Sequence, residues 1–311
     1  MQNEKIAALI GIDWGTSSFR AYLMDEKGGI LDTVSSGDGI LSVDEDGFED
    51  QLQKNIGHWL VKYPAIPLLA SGMITSKNGW LETPYLTVPT SFDGFAEALS
   101  AIKLSNGHDI NFVTGASFDD ENSTPDIMRG EETQVIGALT DNNLASKKQL
   151  FLLPGTHSKW VVTEKEHMNS FKTFMTGEVY ALLKEYSILG TLMQTSKSEI
   201  TSGFLKGVIN RQNSESSLLH QLFSARTLAL FDQLPSNQIA DYLSGLLIGE
   251  EIRSASTDFD DETNVQIIGG EELASRYALA LDQLKINYQI APNDIVSIGH
   301  FKIAKKAGLL S

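Results

Sequence analysis

The chain has 311 residues, with 24 basic against 40 acidic side chains, a formal charge of −16. At roughly 150 residues per domain this length predicts two domains, each able to bury its own core; 41% apolar and 21% charged residues is ordinary globular composition, which excludes disorder as a description of the whole. The acidic balance also excludes a nucleic-acid grip built on bulk electrostatics, so a phosphate bound here must be held locally, by backbone amides, a few basic side chains or a bridging cation.

Ile6 to Ile12 is a continuous apolar run ending at Asp13, the pattern of a strand buried on both faces. It is too short for a signal-peptide core or a membrane span. Strands are predicted at Phe19 to Met24, after Gly15-Thr16-Ser17-Ser18, and at Ile30 to Val34, after Lys27-Gly28-Gly29. Apolar residues at 48, 52, 56, 59 and 60 predict a helix over Phe48 to Val61. A strand at Pro67 to Ala70, a helix over Phe92 to Ile102, a strand at Ile110 to Thr114 and a helix over Glu131 to Leu139 follow. The order is β-β-β-α-β-α-β-α.

A similar order then begins again. Strands are expected at Gln149 to Leu153, Lys159 to Thr163 and Phe171 to Met175, and helices over Glu178 to Tyr186, Leu218 to Phe231 and Ile239 to Ser254. A strand at Val265 to Ile268, a helix over Glu271 to Leu284 and a short strand at Tyr288 to Ala291 complete the set. The polar stretch Asp141 to Lys148 marks the expected boundary, giving domains of 1–143 and 144–311. Gly15-Thr16-x-Ser18 and Gly155-Thr156-x-Ser158 stand 140 residues apart, each between an incoming and an outgoing strand. This is read as an internal duplication, against two unrelated hairpin turns.

Cysteine is absent, which removes disulfides and thiolate chemistry and fits a reducing compartment. A cytoplasmic chain is expected, with no membrane or nucleic-acid partner and with room for a homodimer. Asn122-Ser123-Thr124 matches the glycosylation pattern, but with no export signal it reads as chance.

The chemistry points to phosphate. A Gly-Thr-x-Ser turn between paired strands aims several backbone N–H groups into one concavity, with hydroxyls nearby, and two such turns across a cleft would clamp a polyphosphate. Asp13, just before the first turn, either caps it or holds Mg²⁺ directly or through water. Lys159 reaches a phosphate oxygen or stands solvated on its strand. Gly269-Gly270-Glu271 marks a strand-to-helix junction where a flat ligand can lie against backbone, or a plain tight turn. Met128-Arg129-Gly130-Glu131-Glu132 opens a helix; its acids suit the helix dipole, and Arg129 suits a carboxylate or phosphate. No G-x-x-x-x-G-K-[ST] or G-x-G-x-x-G is present. The six histidines lack metal-ligand spacing, and His157 reads as a turn hydrogen-bonder. Asp44-Glu45-Asp46-Gly47 reads as an acidic cap on the following helix rather than a calcium loop.

The run Gly11-Ile12-Asp13-Trp14-Gly15-Thr16-Ser17-Ser18-Phe19-Arg20 resembles the first phosphate motif of the sugar kinase, heat-shock protein and actin superfamily. More narrowly, the chain resembles the 2-dehydro-3-deoxygalactonokinase family. The matching segments are Ala70 to Ile74, Met128 to Gln134, Leu153 to Trp160, Phe174 to Glu178, Ser244 to Glu250 and Gly269-Gly270-Glu271, in family order. The resemblance implies an α/β chain of two ribonuclease-H-like domains, the actin-like ATPase fold, with a central cleft for ATP and Mg²⁺. It implies Asp13, Gly15, Thr16 and Ser17 at the first phosphate hairpin, Gly155, Thr156 and Ser158 at the second, and Gly269 and Gly270 at the adenosine. The implied reaction phosphorylates the 6-hydroxyl of 2-dehydro-3-deoxy-D-galactonate, a small sugar acid, in galactonate breakdown.

In that reading Glu132 or Glu131 takes the hydroxyl proton as a carboxylate ionised at neutral pH, with Asp126 a third choice. Arg20 and Arg129 are the candidates for the substrate carboxylate, with Ser71, Gly72 and Thr176 as further contacts. Three alternatives stand beside it: a kinase for another sugar acid, a polyphosphate hydrolase on the same scaffold, and a nucleotide-gated regulator without catalysis.

Overall fold

The structure, a computed structural model, describes residues 6–44, 46–120, 124–139, 148–194, 200–259 and 263–310. Most of the boundary expected at Asp141 to Lys148 lies outside these residues, as do Asn122 and Ser123 of the glycosylation-like triplet and Glu45 of the acidic run.

In chain order the elements begin with β1 (Ala7–Trp14), β2 (Phe19–Asp25), β3 (Ile30–Ser36), α1 (Phe48–Lys62), β4 (Leu68–Ser71), β5 (Leu86–Val88), β6 (Thr90–Ser91) and α2 (Phe92–Glu97). There follow β7 (Ser100–Lys103), β8 (Asp109–Phe112), β9 (Ala116–Phe118), β10 (Asp126–Met128), α3 (Glu131–Ala138), β11 (Gln149–Leu153), β12 (Ser158–Glu164) and β13 (His167–Phe174). The remainder is α4 (Thr176–Tyr186), α5 (Ser202–Gln212), α6 (Leu218–Leu222), α7 (Ser224–Leu230), α8 (Ile239–Ala255), β14 (Asn264–Ile267), α9 (Glu271–Gln283), β15 (Asn287–Ile290) and α10 (Ile295–Lys306).

Contacts divide the chain into unit 1, Met1–Lys147 with Val162–Phe171 and Pro292–Ser311, and unit 2, Lys148–Val161 with Lys172–Ala291. The segment 292–311 thus groups with the N-terminal unit, where the sequence pattern runs 144–311 as one piece.

Unit 1 is built on a sheet of order β3-β2-β1-β4-β8-β7. β1 is antiparallel to β2 and parallel to β4. Strand alternation sends Ile10, Ile12 and Trp14 into a core with Phe48, Leu52, Ile56, Trp59 and Leu60 of α1, the face predicted by their spacing. The Trp14 ring meets Phe19 edge-on at 4.8 Å, which anchors both strands beside the turn that joins them. On the other face α10 packs against β1 and α3. Gly299 makes the helix contact, since a Cβ there would stand 2.0 Å from the Thr133 carbonyl oxygen. Lys302 donates to the carbonyls of Ile136, Gly137 and Leu139, satisfying the C-terminal end of α3.

Three expectations need correction. The helix expected over Phe92 to Ile102 starts as predicted, with Ser91 capping the Gly94 N–H at 3.2 Å, but ends at Glu97; Ser100–Lys103 pairs antiparallel with β8 instead. The helix expected over Leu218 to Phe231 breaks at Phe223 into α6 and α7. The N-cap of α1 is Gly47, without a side-chain cap, in place of an acid of the preceding run, and the acids in the helix's first turn are Glu49 and Asp50.

In unit 2, β11, β14 and β15 pair in parallel. The long α8 is buried along most of its length, and its Leu243 and Leu247 pack with Leu189 and Leu222. Among the described residues no helix is long and apolar enough to cross a membrane.

Candidate active site

In unit 1 the ladder register brings the first candidates together. Asp13 stands opposite Arg20 on β2 and opposite Ser71 on β4. Next to Ser71, Gly72 has φ +95°, and a Cβ there would sit 2.9 Å from the Trp14 carbonyl and 3.4 Å from Asp13 Oδ1. Gly130 has φ +107° and its own Cβ would lie 3.1 Å from Gly72 Cα. Both positions require glycine, for conformation and for space. Their backbone contact sets the start of α3 beside the end of β1, which brings the charge of Glu131 to bear on Asp13.

Electrostatics separates these acids. Burial pushes the Asp13 carboxyl above its usual range, Arg20 pulls it back, and the charge of Glu131 raises it further. Glu132 is fully buried; its Oε2 accepts the Gly130 N–H at 2.7 Å and its Oε1 the Thr133 hydroxyl at 3.2 Å. Burial first, then the Glu131 charge, pushes its pKa up to about 8. This corrects the expectation of an ionised carboxylate at Glu132: the desolvation of a fully enclosed side chain outweighs the donors around it. Glu131 stays partly exposed, and one of its oxygens accepts the Arg129 N–H at 2.9 Å. Asp126 lies in β10, its carboxylate taken by the Ile127 N–H at 2.8 Å.

Two substrate-contact candidates face inward. The Ser71 hydroxyl is fully buried and shares a 2.8 Å hydrogen bond with His300 Nε2 of α10, so it offers nothing to a ligand. Arg129 donates to the hydroxyls of Thr75 and Thr83, each at 2.8 Å, and to the Thr83 carbonyl at 3.0 Å. Its guanidinium also stacks over the Tyr85 ring at 4.2 Å. Arg129 therefore straps a loop of unit 1, whereas Arg20 is exposed.

The first turn is held from behind. The Gly15 N–H closes on the Ser18 carbonyl at 2.9 Å, and the carbonyls of Gly15 and Thr16 accept the N–H groups of Ile40 and Leu41 at 3.0 and 3.2 Å. Thr16 and Ser17 are left exposed. The second turn repeats the device in unit 2: the Thr156 carbonyl accepts the Glu178 N–H at 3.0 Å, Gly177 backs onto Gly155, and Thr156 and His157 are exposed. His157 bonds Glu178 at 2.5 Å, in line with a turn hydrogen-bonder. Tying carbonyls back leaves the outward rim of a turn to its N–H groups and hydroxyls, the arrangement an anion needs. Ser158 departs from the expectation, its hydroxyl being fully buried and 3.0 Å from the Tyr277 hydroxyl. Lys159 is also buried rather than solvated.

Unit 2 holds a pocket of about 540 Å³ lined by Gly155, Thr176, Tyr180, Asp241, Leu273 and Arg276, among others. Arg276 pairs with the buried Asp241 at 2.8 Å. The Gly269-Gly270 junction leads into this wall, because α9 begins at Glu271; a Cβ on Gly270 would meet nothing within 4 Å. Among the described residues no three acidic or histidine side chains gather to hold a metal ion.

A family model described as 2-keto-3-deoxy-galactonokinase matches residues 13–303. The chain belongs to this family. Its members are phosphotransferases by name, and the matched span takes in the turns, the acids and the pocket. An Escherichia coli (strain K12) relative, 2-dehydro-3-deoxygalactonokinase, is 31% identical over 283 residues, covering 89% of this chain and 90% of that protein. A solved Sinorhizobium meliloti chain, provisionally assigned as a 2-dehydro-3-deoxygalactonokinase, is 30% identical with a TM-score of 0.86, covering 96% of this chain and 98% of that one. A ligand-bound xylulose kinase from Lactobacillus acidophilus shares the fold, with a TM-score of 0.54 at 12% identity, covering 97% of this chain and 89% of that one. The two-unit mixed α/β architecture is that of the sugar kinases of the actin-like ATPase fold.

Sequence reasoning missed His300, Tyr180, Asp241, Arg276, Tyr277 and Glu251. The available signal was Asp241 and Glu251 on either side of the apolar stretch Tyr242 to Gly249 in one helical run, since a charge on a buried helix needs a partner.

Proposed function

We propose that the chain transfers the γ-phosphoryl group of ATP to the 6-hydroxyl of 2-dehydro-3-deoxy-D-galactonate, a step of galactonate breakdown. The observation that carries this reading is the meeting of Asp13, Glu131 and the Gly72–Gly130 contact at the end of β1, in a chain of this family.

Phosphoryl transfer needs positioning, charge neutralisation and a carboxylate for the hydroxyl proton. Asp13 fits Mg²⁺, which takes one or two carboxylates from a protein and fills its remaining positions with water and phosphate oxygens; bound there, the ion would neutralise phosphate charge. Thr16 and Ser17, on the turn that the Gly15 N–H closes, offer donors to phosphate oxygens in unit 1, and Gly155 and Thr156 offer donors in unit 2. The unit 2 pocket, reached from Gly269 and Gly270, takes the nucleoside. Glu131 accepts the hydroxyl proton, because Glu132 is enclosed. Arg20 meets the substrate carboxylate, because the Arg129 guanidinium is already committed.

A coupled assay with ATP, 2-dehydro-3-deoxygalactonate, its gluconate epimer and other sugar acids tests the reading. Phosphorylation of the galactonate derivative above the others is expected. Preference for another acid, ATP hydrolysis without an acceptor, or nucleotide binding without turnover would each overturn it. Replacing Glu131 by Gln should lower kcat about a hundredfold or more, and Glu132→Gln far less; the reverse order would restore Glu132 as the base.

A further inference from the structure

Glu251 lies on α8, 1% exposed, and no step of the proposed reaction uses it. Its Oε1 accepts the Trp160 indole N–H at 2.8 Å and its Oε2 accepts the Tyr277 hydroxyl at 2.6 Å. The Thr176 hydroxyl stands beside the pair and helps hold the Glu251 carboxyl down. The Tyr277 oxygen, having given its proton to Glu251, accepts from Ser158 at 3.0 Å. One acid therefore gathers donors from β12 and α9 with α4 beside them, and Ser158 is the residue that follows the second turn and opens β12. Gly155, Thr176 and Tyr277 in turn form part of the pocket wall.

The chemistry of the group suits this task. A carboxylate accepts at two oxygens without donating, so indole and hydroxyl donors can converge on it from several sides. Bonds to a charged acceptor are about twice as strong as neutral ones, and inside a protein such a network holds its members to one arrangement. The donors offset part of the desolvation that raises the Glu251 carboxyl above its usual range. A purely apolar core at this point would pack β12 against α8 but would leave the Ser158 and Thr176 hydroxyls free to turn.

We propose that Glu251 is a positioning residue for nucleotide binding: through Tyr277 and Thr176 it fixes the second turn and the adjoining pocket wall in the geometry that receives the nucleotide. This rests on the reading that the second turn and the unit 2 pocket hold ATP.

The test compares the wild-type chain with Glu251→Gln, Tyr277→Phe and Thr156→Ala, measuring MgATP affinity by calorimetry and the sugar-acid KM by coupled assay. Glu251→Gln keeps the shape but points an amide donor at donors; Tyr277→Phe removes the hydroxyl that links Ser158 to Glu251. Each should weaken MgATP binding about tenfold, the worth of one charge-assisted bond, and leave the sugar-acid KM unchanged. Thr156→Ala, in the turn itself, should also weaken MgATP binding. If Thr156→Ala weakens binding and the other two variants do not, the role of Glu251 is refuted while the nucleotide reading stands. If wild type binds MgATP and none of the three variants weakens it, the nucleotide reading of the second turn fails, and this role with it. Lower thermal stability with unchanged MgATP affinity would likewise refute the role. Should Glu251→Gln fail to fold, Tyr277→Phe decides.

Discussion

Replacing Glu132 by Gln should stabilise the protein, and the gain should grow with pH. Burial raises the Glu132 carboxyl from 4.5 to about 8, with the neighbouring Glu131 charge adding and the donors from Gly130 and Thr133 opposing. In the fold the side chain keeps its proton through neutral pH; in the unfolded chain it loses it above 4.5. The unfolded state therefore binds fewer protons between those values, and stability falls as pH rises through that window. Each pH unit removes about 1.4 kcal/mol, so the deficit is below about 1 kcal/mol at pH 5, roughly 3 at pH 7 and about 4 at pH 8. A glutamine keeps the essential contacts: its carbonyl accepts the Gly130 N–H at the 2.7 Å position, and its amide faces Thr133, whose hydroxyl can turn to accept. Urea unfolding of both proteins at pH 5, 7 and 8 reads the effect, since groups common to both cancel in the difference. A gap that does not widen between pH 5 and pH 8 would refute the reasoning.

Two further outcomes follow from the packing of α10. Gly299→Ala places a methyl group 2.0 Å from the Thr133 carbonyl oxygen and should cost about 1–3 kcal/mol as the helices part; an unchanged urea midpoint would contradict that contact. His300 is held neutral by burial, its pKa lowered from 6.5 to about 3, while the unfolded chain takes up a proton below 6.5. Its contribution is complete above pH 6.5 and is lost as pH falls towards 3. His300→Gln should therefore flatten the acid side of the stability profile, with midpoints at pH 4.5 and 7 closer together than in wild type.

Local pattern made much of the fold legible. The β1 run, the two Gly-Thr-x-Ser turns and the α1 spacing depend on residues near one another in the chain, and all appear within a residue or two of expectation. What escaped depends on distant partners or on ambiguous periods. Ser100 to Ile102 reads as helix until its pairing with β8 shows it to be strand. Ser202–Gln212 carries glycines that weaken its helical signal, and its burial comes from packing on α8. Ser71 and Arg129 carry the right chemistry for a ligand, but the partners that turn them inward, His300 and the Thr75–Thr83 loop, are remote in sequence.

The acids teach the sharper lesson. The choice between Glu131 and Glu132, left open in the sequence, turns on helix geometry: successive helical residues point about 100° apart, so the two acids face different surroundings. Val135 and Ile136, three and four positions after Glu132, are both apolar and both buried, and the i, i+3, i+4 relation places Glu132 on their face. Glu131, whose neighbour three positions on is the partly exposed Gln134, stays partly open. Periodicity along one helix thus tells which acid shares the core face before any contact is measured. Glu251 obeys the same rule on α8, where Leu247 and Ala255, four positions to either side, are buried with it. An acid that shares a helical face with core residues must find donors or stay protonated, and Glu132 and Glu251 answer that demand in different proportions.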